Sequence, residues 1–285
     1  MRKKNMIIKI SVATVIFLVA LGLTLYPLLS NIYNEKHQSE IRTAYQEQIA
    51  QADDTAIIVA KTSAVAYNSV LVPGVQNYDA YSEDALQIAS DSYAEQLDVT
   101  GSGIMGYVKI PSISVTLPIY HGTDADTLEI GIGHLLGSSL PIGGESTHSI
   151  LTAHSGMASQ KMFSDLDLLK EGDVFYLEVL DEVLAYQVDE IHTVLPQDTT
   201  YLGITTGEDH CTLVTCTPFG VNTHRLLVRG TRIPYEEAEE IAATVSEETA
   251  VSTWESQYWN GIITGLAIVL IVAIIAAVVW YVQRK

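Results

Sequence analysis

The chain has 285 residues with 34 Asp and Glu against 15 Lys and Arg, and 48% of it is hydrophobic while 17% is charged. Such a chain is too apolar to stay disordered and too acidic to be held by a nucleic-acid backbone. The charge is also segregated. Every acidic residue lies between Glu35 and Glu255, whereas Arg2, Lys3, Lys4 and Lys9 open the chain and Arg284 and Lys285 close it.

Residues 1–9 are basic and precede an apolar run from Ile10 to Leu29, broken only by Gly22 and Pro27. A cleaved signal peptide would share these features, but no small-x-small cleavage pattern stands at Leu25 to Asn31, so the run is expected to stay as a membrane anchor over 10–29. Near the other end, Ile262 to Val282 is uncharged and apolar. At 1.5 Å per residue it spans roughly 32 Å as a helix, the thickness of a bilayer core, and a second transmembrane helix is expected over 261–282. Basic residues flank both runs on their outer sides, which places both termini, 1–9 and 283–285, in the cytoplasm and the acidic middle outside.

Beyond the first anchor, Ile41, Tyr45, Ile49, Ala52, Ala56 and Ile57 form an apolar stripe at helical spacing, which predicts an amphipathic stalk helix ending by Pro73-Gly74. The tyrosine-rich stretch that follows reads as an exposed loop over Val72 to Ser82, so residues 30–102 are taken as stalk and lid. From Gly103 the texture changes to short β-branched runs set apart by Gly, Pro and Asp. Tyr107 to Ile110, Ile113 to Ile119, Ser149 to Thr152, Val174 to Leu180, Val183 to Val194, Cys211 to Cys216 and His224 to Gly230 read as strands. Short helices are expected near Asp124 to Ile130, behind a Thr123 cap, and near Met162 to Leu169. So many strands in so short a span predict a mainly β, closed barrel or sandwich over 103–235, followed by an acidic linker over 236–260.

Only two cysteines are present, Cys211 and Cys216, which excludes a disulfide scaffold. They stand five apart on one strand, so they face opposite sides and cannot easily share a bridge or a metal. Cys216 ends its strand just before Thr217-Pro218-Phe219-Gly220, where a thiol is reachable by solvent. The next strand brings Arg225 or His224 back towards it, and Ser149 to Ala153 delivers His154 to another strand end. A thiolate nucleophile needs a group that exchanges protons near neutrality and a cation to stabilise developing charge. Cys216, His154 and Arg225 suit those roles. His224 is the rival imidazole, yet strand neighbours face opposite sides, so if Arg225 faces the thiol His224 does not. His37, His121, His134, His148, His192 and His210 are read as structural or solvated. No Cys-x-x-Cys or His-Glu-x-x-His spacing occurs, so no metal is expected.

Thr212-Leu213-Val214-Thr215-Cys216 resembles the TLxTC strand of the sortases, and His154 and Arg225 match that family's other two catalytic positions in the right order. With two anchors, the chain is most similar to the pilus-assembling class C branch. The resemblance implies an eight-stranded sortase-like barrel and a cofactor-free transpeptidation. In it, Cys216 attacks the Thr-Gly carbonyl of an LPxTG-like sorting signal, and the thioester passes to a lysine amine of a pilin subunit. It also implies a lid, with Asp79 and Tyr81 at the positions of the usual Asp-Pro-aromatic tripeptide and Ala80 in place of proline. Where the family reads His-Arg-Gly, this chain has His154-Ser155-Gly156. A membrane-anchored cysteine hydrolase, with water resolving the thioester, and a cell-wall-anchoring sortase are the alternatives.

Overall fold

A computed structural model of the chain describes residues 2–71, 91–155, 157, 160–245 and 253–284. Contacts divide the chain into two units, one of Met1–Lys36, Ala158–Gln160 and Thr253–Lys285, the other of His37–Met157 and Lys161–Ser252.

Helix α1 (Arg2–Gln51) continues through Gly22 and Pro27, breaks at Ala52, and is followed by α2 (Asp54–Ser69). The single stalk helix expected from the apolar stripe is therefore two. The break falls where Asp53 leaves helical geometry and its carboxylate accepts from the Thr55 amide at 3.1 Å, an N-cap that starts a new helix. In the larger unit these helices lie against the barrel. Tyr45 and Ile49 of α1 and Ile57 and Ala64 of α2 join its core, and Arg42 grips Glu178 with contacts of 2.7 and 2.8 Å. Asn68 exchanges hydrogen bonds with both backbone groups of Leu140. The expected end at Pro73-Gly74 and the loop over Val72 to Ser82 lie outside the described residues.

A short helix α3 (Asp91–Ala94) carries Tyr93 into the core, and the barrel follows. Its strands are β1 (Ile104–Ile110), β2 (Val115–His121), β3 (Ile132–His134), β4 (Thr147–Thr152), β5 (Val174–Val179), β6 (Glu182–Val194), β7 (Asp209–Thr217) and β8 (His224–Ile233). They close in the order β1-β2-β3-β4-β7-β8-β6-β5. Between β2 and β3 lies α4 (Ala125–Ile130), capped by Asp124 rather than by the expected Thr123: the Asp124 carboxylate accepts from the Thr127 amide at 2.9 Å. The helix expected over Met162 to Leu169 is a series of turns ending in a 3₁₀ turn, Leu166–Leu168. Phe163, Leu166 and Leu169 are buried, a spacing of three that matches the three residues per turn of that geometry.

Most neighbours pair antiparallel, but β2 with β3 and β4 with β7 run parallel. The interior is filled by aromatic and branched side chains such as Phe175, Val108, Leu177 and Leu213, all almost completely buried, while Tyr107, on the other face of β1, packs against Tyr45 of α1. Gly230 is required there. A Cβ on it would come within 2.6 Å of the Phe175 ring, which itself stacks on Tyr186. After β8, α5 (Tyr235–Val245) lays Ala238 and Ile241 on Tyr176 and Val174. The last helix, α6 (Thr253–Arg284), contains Trp259–Val282, which is long and apolar enough to cross a membrane. The corresponding apolar stretch of α1, Ser11–Tyr26, is shorter. Within the smaller unit Gly265 of α6 faces Thr24 of α1, where a Cβ would stand 2.8 Å from the Thr24 hydroxyl. Such approaches through small residues are how helices pack in lipid.

Two histidines are built into the barrel wall as neutral rings. His134 Nε2 donates to the Ser139 carbonyl at 2.9 Å, leaving Nδ1 to accept from the Tyr93 hydroxyl at 2.8 Å. His148 Nδ1 donates to the Gly203 carbonyl at 2.9 Å and Nε2 accepts from Thr212 at 2.7 Å. Burial pushes both pKa values down to about 4. In the unfolded chain they protonate near 6.5, so between pH 6.5 and about 4 protons bind the unfolded state preferentially and stability falls as pH falls. Thermal denaturation is expected to show Tm declining across that window. A Tm that is level there would show both rings to be solvated in the fold.

Candidate active site

The site stands where three neighbouring strands end. β4 and β7 are parallel and in register as far as Thr152 opposite Val214, so two residues further along each strand His154 arrives beside Cys216. On the other flank β8 runs antiparallel, and its Arg225 is the direct partner of Cys216. Directly opposed residues share a face, with strands about 4.8 Å apart, so the thiol, the imidazole and the guanidinium are brought to one face with sulfur in the middle. His224, the rival imidazole, is partnered with Thr217 and so faces the opposite side. Its Nδ1 lies 2.9 Å from the Thr223 hydroxyl. Cys211 is fully buried within the barrel core and its thiol pKa is pushed well up by burial, whereas Cys216 is partly exposed.

At the end of the β4 ladder, where the Ala153 amide still donates to the Val214 carbonyl at 3.1 Å, side-chain hydroxyls add to the fastening. Thr152 donates to the Val214 carbonyl at 3.2 Å, Thr215 to the Ala153 carbonyl at 2.7 Å, and Ser155 to the Cys216 carbonyl at 2.6 Å. The amide of the buried Phe163 holds the His154 carbonyl at 3.0 Å. The backbone on either side of His154 and Cys216 is thus pinned while both side chains stay accessible. Burial lowers the His154 pKa from its ordinary 6.5, partly offset by the Glu129 carboxylate. Arg225 Nη1 donates to the Asn222 and His224 carbonyls at 3.4 and 3.3 Å, which turns its fork across the β7–β8 loop.

A small pocket opens at the thiol, walled by Ser155, Phe163, Ser164, Asp167, Phe219 and Leu226. Phe163, Ser164 and Asp167 come from the stretch expected to be a plain helix, and nothing in its spacing marks it as a wall of the site. Ser155 was visible only as a departure from the His-Arg-Gly pattern. Asp79 and Tyr81, expected to form a lid, lie outside the described residues. Among the described residues no group of three His, Cys, Asp or Glu side chains is placed to hold a metal ion.

A family model for the sortase domain matches residues 108–233. Over 117 residues the chain is 31% identical to sortase A of Streptococcus agalactiae, covering 40% of this chain and 47% of that protein, so the match spans about half of that relative's length. Solved structures extend further. The chain is 45% identical to Streptococcus pneumoniae sortase C, whose structure bears on its catalysis and pilin substrate specificity, with a TM-score of 0.63 over 69% of this chain and 97% of that one. Sortase C-1 of Actinomyces oris is also 45% identical, with a TM-score of 0.58 over 62% of this chain and 99% of its own.

Two measurements probe the site. Ser155→Ala removes one hydrogen bond from the strand ends and is expected to lower turnover by about tenfold at nearly unchanged Tm, with Ser155→Thr restoring most of it. A fully active alanine variant would mean the ends hold without this bond. In Cys216→Ala protein, NMR titration should give His154 a midpoint below 6.5, because the buried ring disfavours its charged form; a midpoint above 6.5 would mean that another group stabilises the imidazolium.

Proposed function

This chain belongs to the sortase family of cysteine transpeptidases, on its class C branch, and from that premise we propose that it joins pilin subunits by passing an LPxTG-like sorting signal through a thioester on Cys216 to a lysine amine. The observation that carries the reading is the register that sets Cys216 between Arg225 and the end of the His154 strand. Relatives whose structures it resembles over most of their length include a sortase with pilin substrate specificity.

In this mechanism the Cys216 thiol gives its proton to His154 as the sulfur attacks the Thr-Gly carbonyl carbon, and the oxyanion that forms is stabilised by the Arg225 guanidinium, a fixed planar fork of donors. His154 gives a proton to the departing glycine nitrogen, the C–N bond breaks, and the acyl group stays on sulfur. An unprotonated lysine amine then attacks the thioester carbonyl. The new C–N bond forms, the C–S bond breaks, and the proton lost by the attacking nitrogen passes through His154 to sulfur, leaving an amide and a free thiol. No cofactor enters these steps.

We read α6 as one anchor and residues 10–29 as a second, with both termini cytoplasmic and the barrel outside. The close packing of Gly265 on Thr24 and the basic flanks of both runs support this arrangement.

Incubating the enzyme with a sorting-signal peptide and a lysine-bearing pilin subunit should give covalently joined product. Cys216→Ala should abolish both thioester and product, while Cys211→Ser retains turnover. Cleavage that yields only the hydrolysed peptide, even with pilin added, would make the protein a cysteine hydrolase instead.

A further inference from the structure

Cleavage needs a thiol, an imidazole and a cation, but transfer to lysine also needs a place for an incoming ammonium. The pocket at Cys216 has a single carboxylate in its described wall, Asp167, and no cation. Asp167 is the middle residue of the Leu166–Leu168 turn. The buried Phe163, Leu166 and Leu169 fix that turn, while the Asp167 side chain is exposed at the pocket mouth. Its neighbour Asp165 makes the contrast: fully buried, it is matched by the Lys161 ammonium at 2.9 Å. Among the described residues no cation pairs with Asp167. The pocket wall and the charge of Asp165 raise its pKa, a strain on the carboxylate that a bound cation would relieve. A negative charge beside a nucleophilic thiol also opposes thiolate formation. That handicap has no evident return in the cleavage step, and it has one in the transfer step.

We propose that Asp167 is the docking carboxylate for the acceptor, holding the lysine ε-ammonium at the pocket mouth beside the acylated Cys216. This rests on the thioester reading above and gives its second substrate a site. Asp167 enters no bond change. The ammonium loses one proton to solvent, the resulting amine attacks, and the second proton follows the His154 route to sulfur. What the carboxylate supplies is local concentration and orientation of the amine. Water gains nothing from it, so Asp167 sets the ratio of transfer to hydrolysis.

The test uses the full chain with a sorting-signal peptide and a lysine-bearing peptide as acceptor. In Asp167→Asn, hydrolysis without acceptor should be no slower than in the wild type, because the charge that opposes thiolate formation is gone, and this also reports an intact fold. KM for the lysine peptide should rise by about fivefold, the upper range for an exposed ion pair, with kcat little changed and Asp167→Glu recovering part of the loss. Raising salt should raise KM in the wild type but not in Asp167→Asn, because exposed charge pairs are screened. Hydroxylamine, a neutral nucleophile at neutral pH, should resolve the thioester equally well in both. An unchanged KM for the lysine peptide in Asp167→Asn overturns the proposal, as does an equal loss with hydroxylamine. Failure of the wild type to cleave the sorting peptide would strike at the thioester itself, and this proposal would fall with it.

Discussion

The parallel ladder between β4 and β7 is the constraint on which the site depends. In an antiparallel pair, strand ends alternate between the two rims of a barrel, so a residue at the C-terminal end of one strand meets the N-terminal end of its neighbour. Parallel pairing puts two C-terminal ends side by side, and here those ends carry His154 and Cys216. The antiparallel β8 then completes the group from its own N-terminal end, with Arg225. Two side chains on consecutive strands, Cys216 and Arg225, and a third some sixty residues earlier in the sequence, His154, meet because of two pairing directions.

The same ladder is fastened more heavily than its length suggests. β4 is buried along its whole length and on its other side meets only the three-residue β3. Buried backbone amides need partners, and two serines supply what β3 is too short to give: the His148 amide donates to Ser139 Oγ at 3.0 Å and the Ile150 amide to Ser138 Oγ at 3.2 Å. His148 then reaches over to Thr212 on β7 and to the Gly203 carbonyl. On β8, Arg229 holds Asp189 of β6 through two contacts, at 3.1 and 2.7 Å. Polar side chains on the strands leading to the site thus complete a hydrogen-bond framework that the barrel alone leaves unfinished.

Local patterns made much of this legible in the sequence. Alternation and turn residues marked seven of the eight strands, and the odd spacing of the cysteines separated the core thiol from the exposed one. The choice of Arg225 over His224 followed from strand alternation. β3 escaped notice because its three residues, Ile132–His134, follow one glycine, Gly131, and have another, Gly133, at their centre, too short a run to show a period. The cap of α4 was misplaced by one residue because Thr123 and Asp124 both have capping side chains, and only the backbone geometry decides between them. The parallel direction of β4 against β7 had no local signal, since it is set by how the barrel closes. The part played by Ser155 and Asp167 was equally hidden, as each acts on a strand or a substrate distant in sequence.

The alternation that parts the two thiols also governs what an oxidant can do to this protein. Peroxide reaching Cys216 would form a sulfenic acid, a species usually rescued by a second thiol that condenses with it to a disulfide. Cys211 is the only other thiol in the chain, and it is sealed in the core on the opposite face of the strand, with its ionisation suppressed. Cys216 is thereby protected from being locked in an internal bridge, and it is also denied an internal means of repair. Recovery must come from a reductant outside the chain, before further oxidation carries the sulfur to the irreversible sulfinic state.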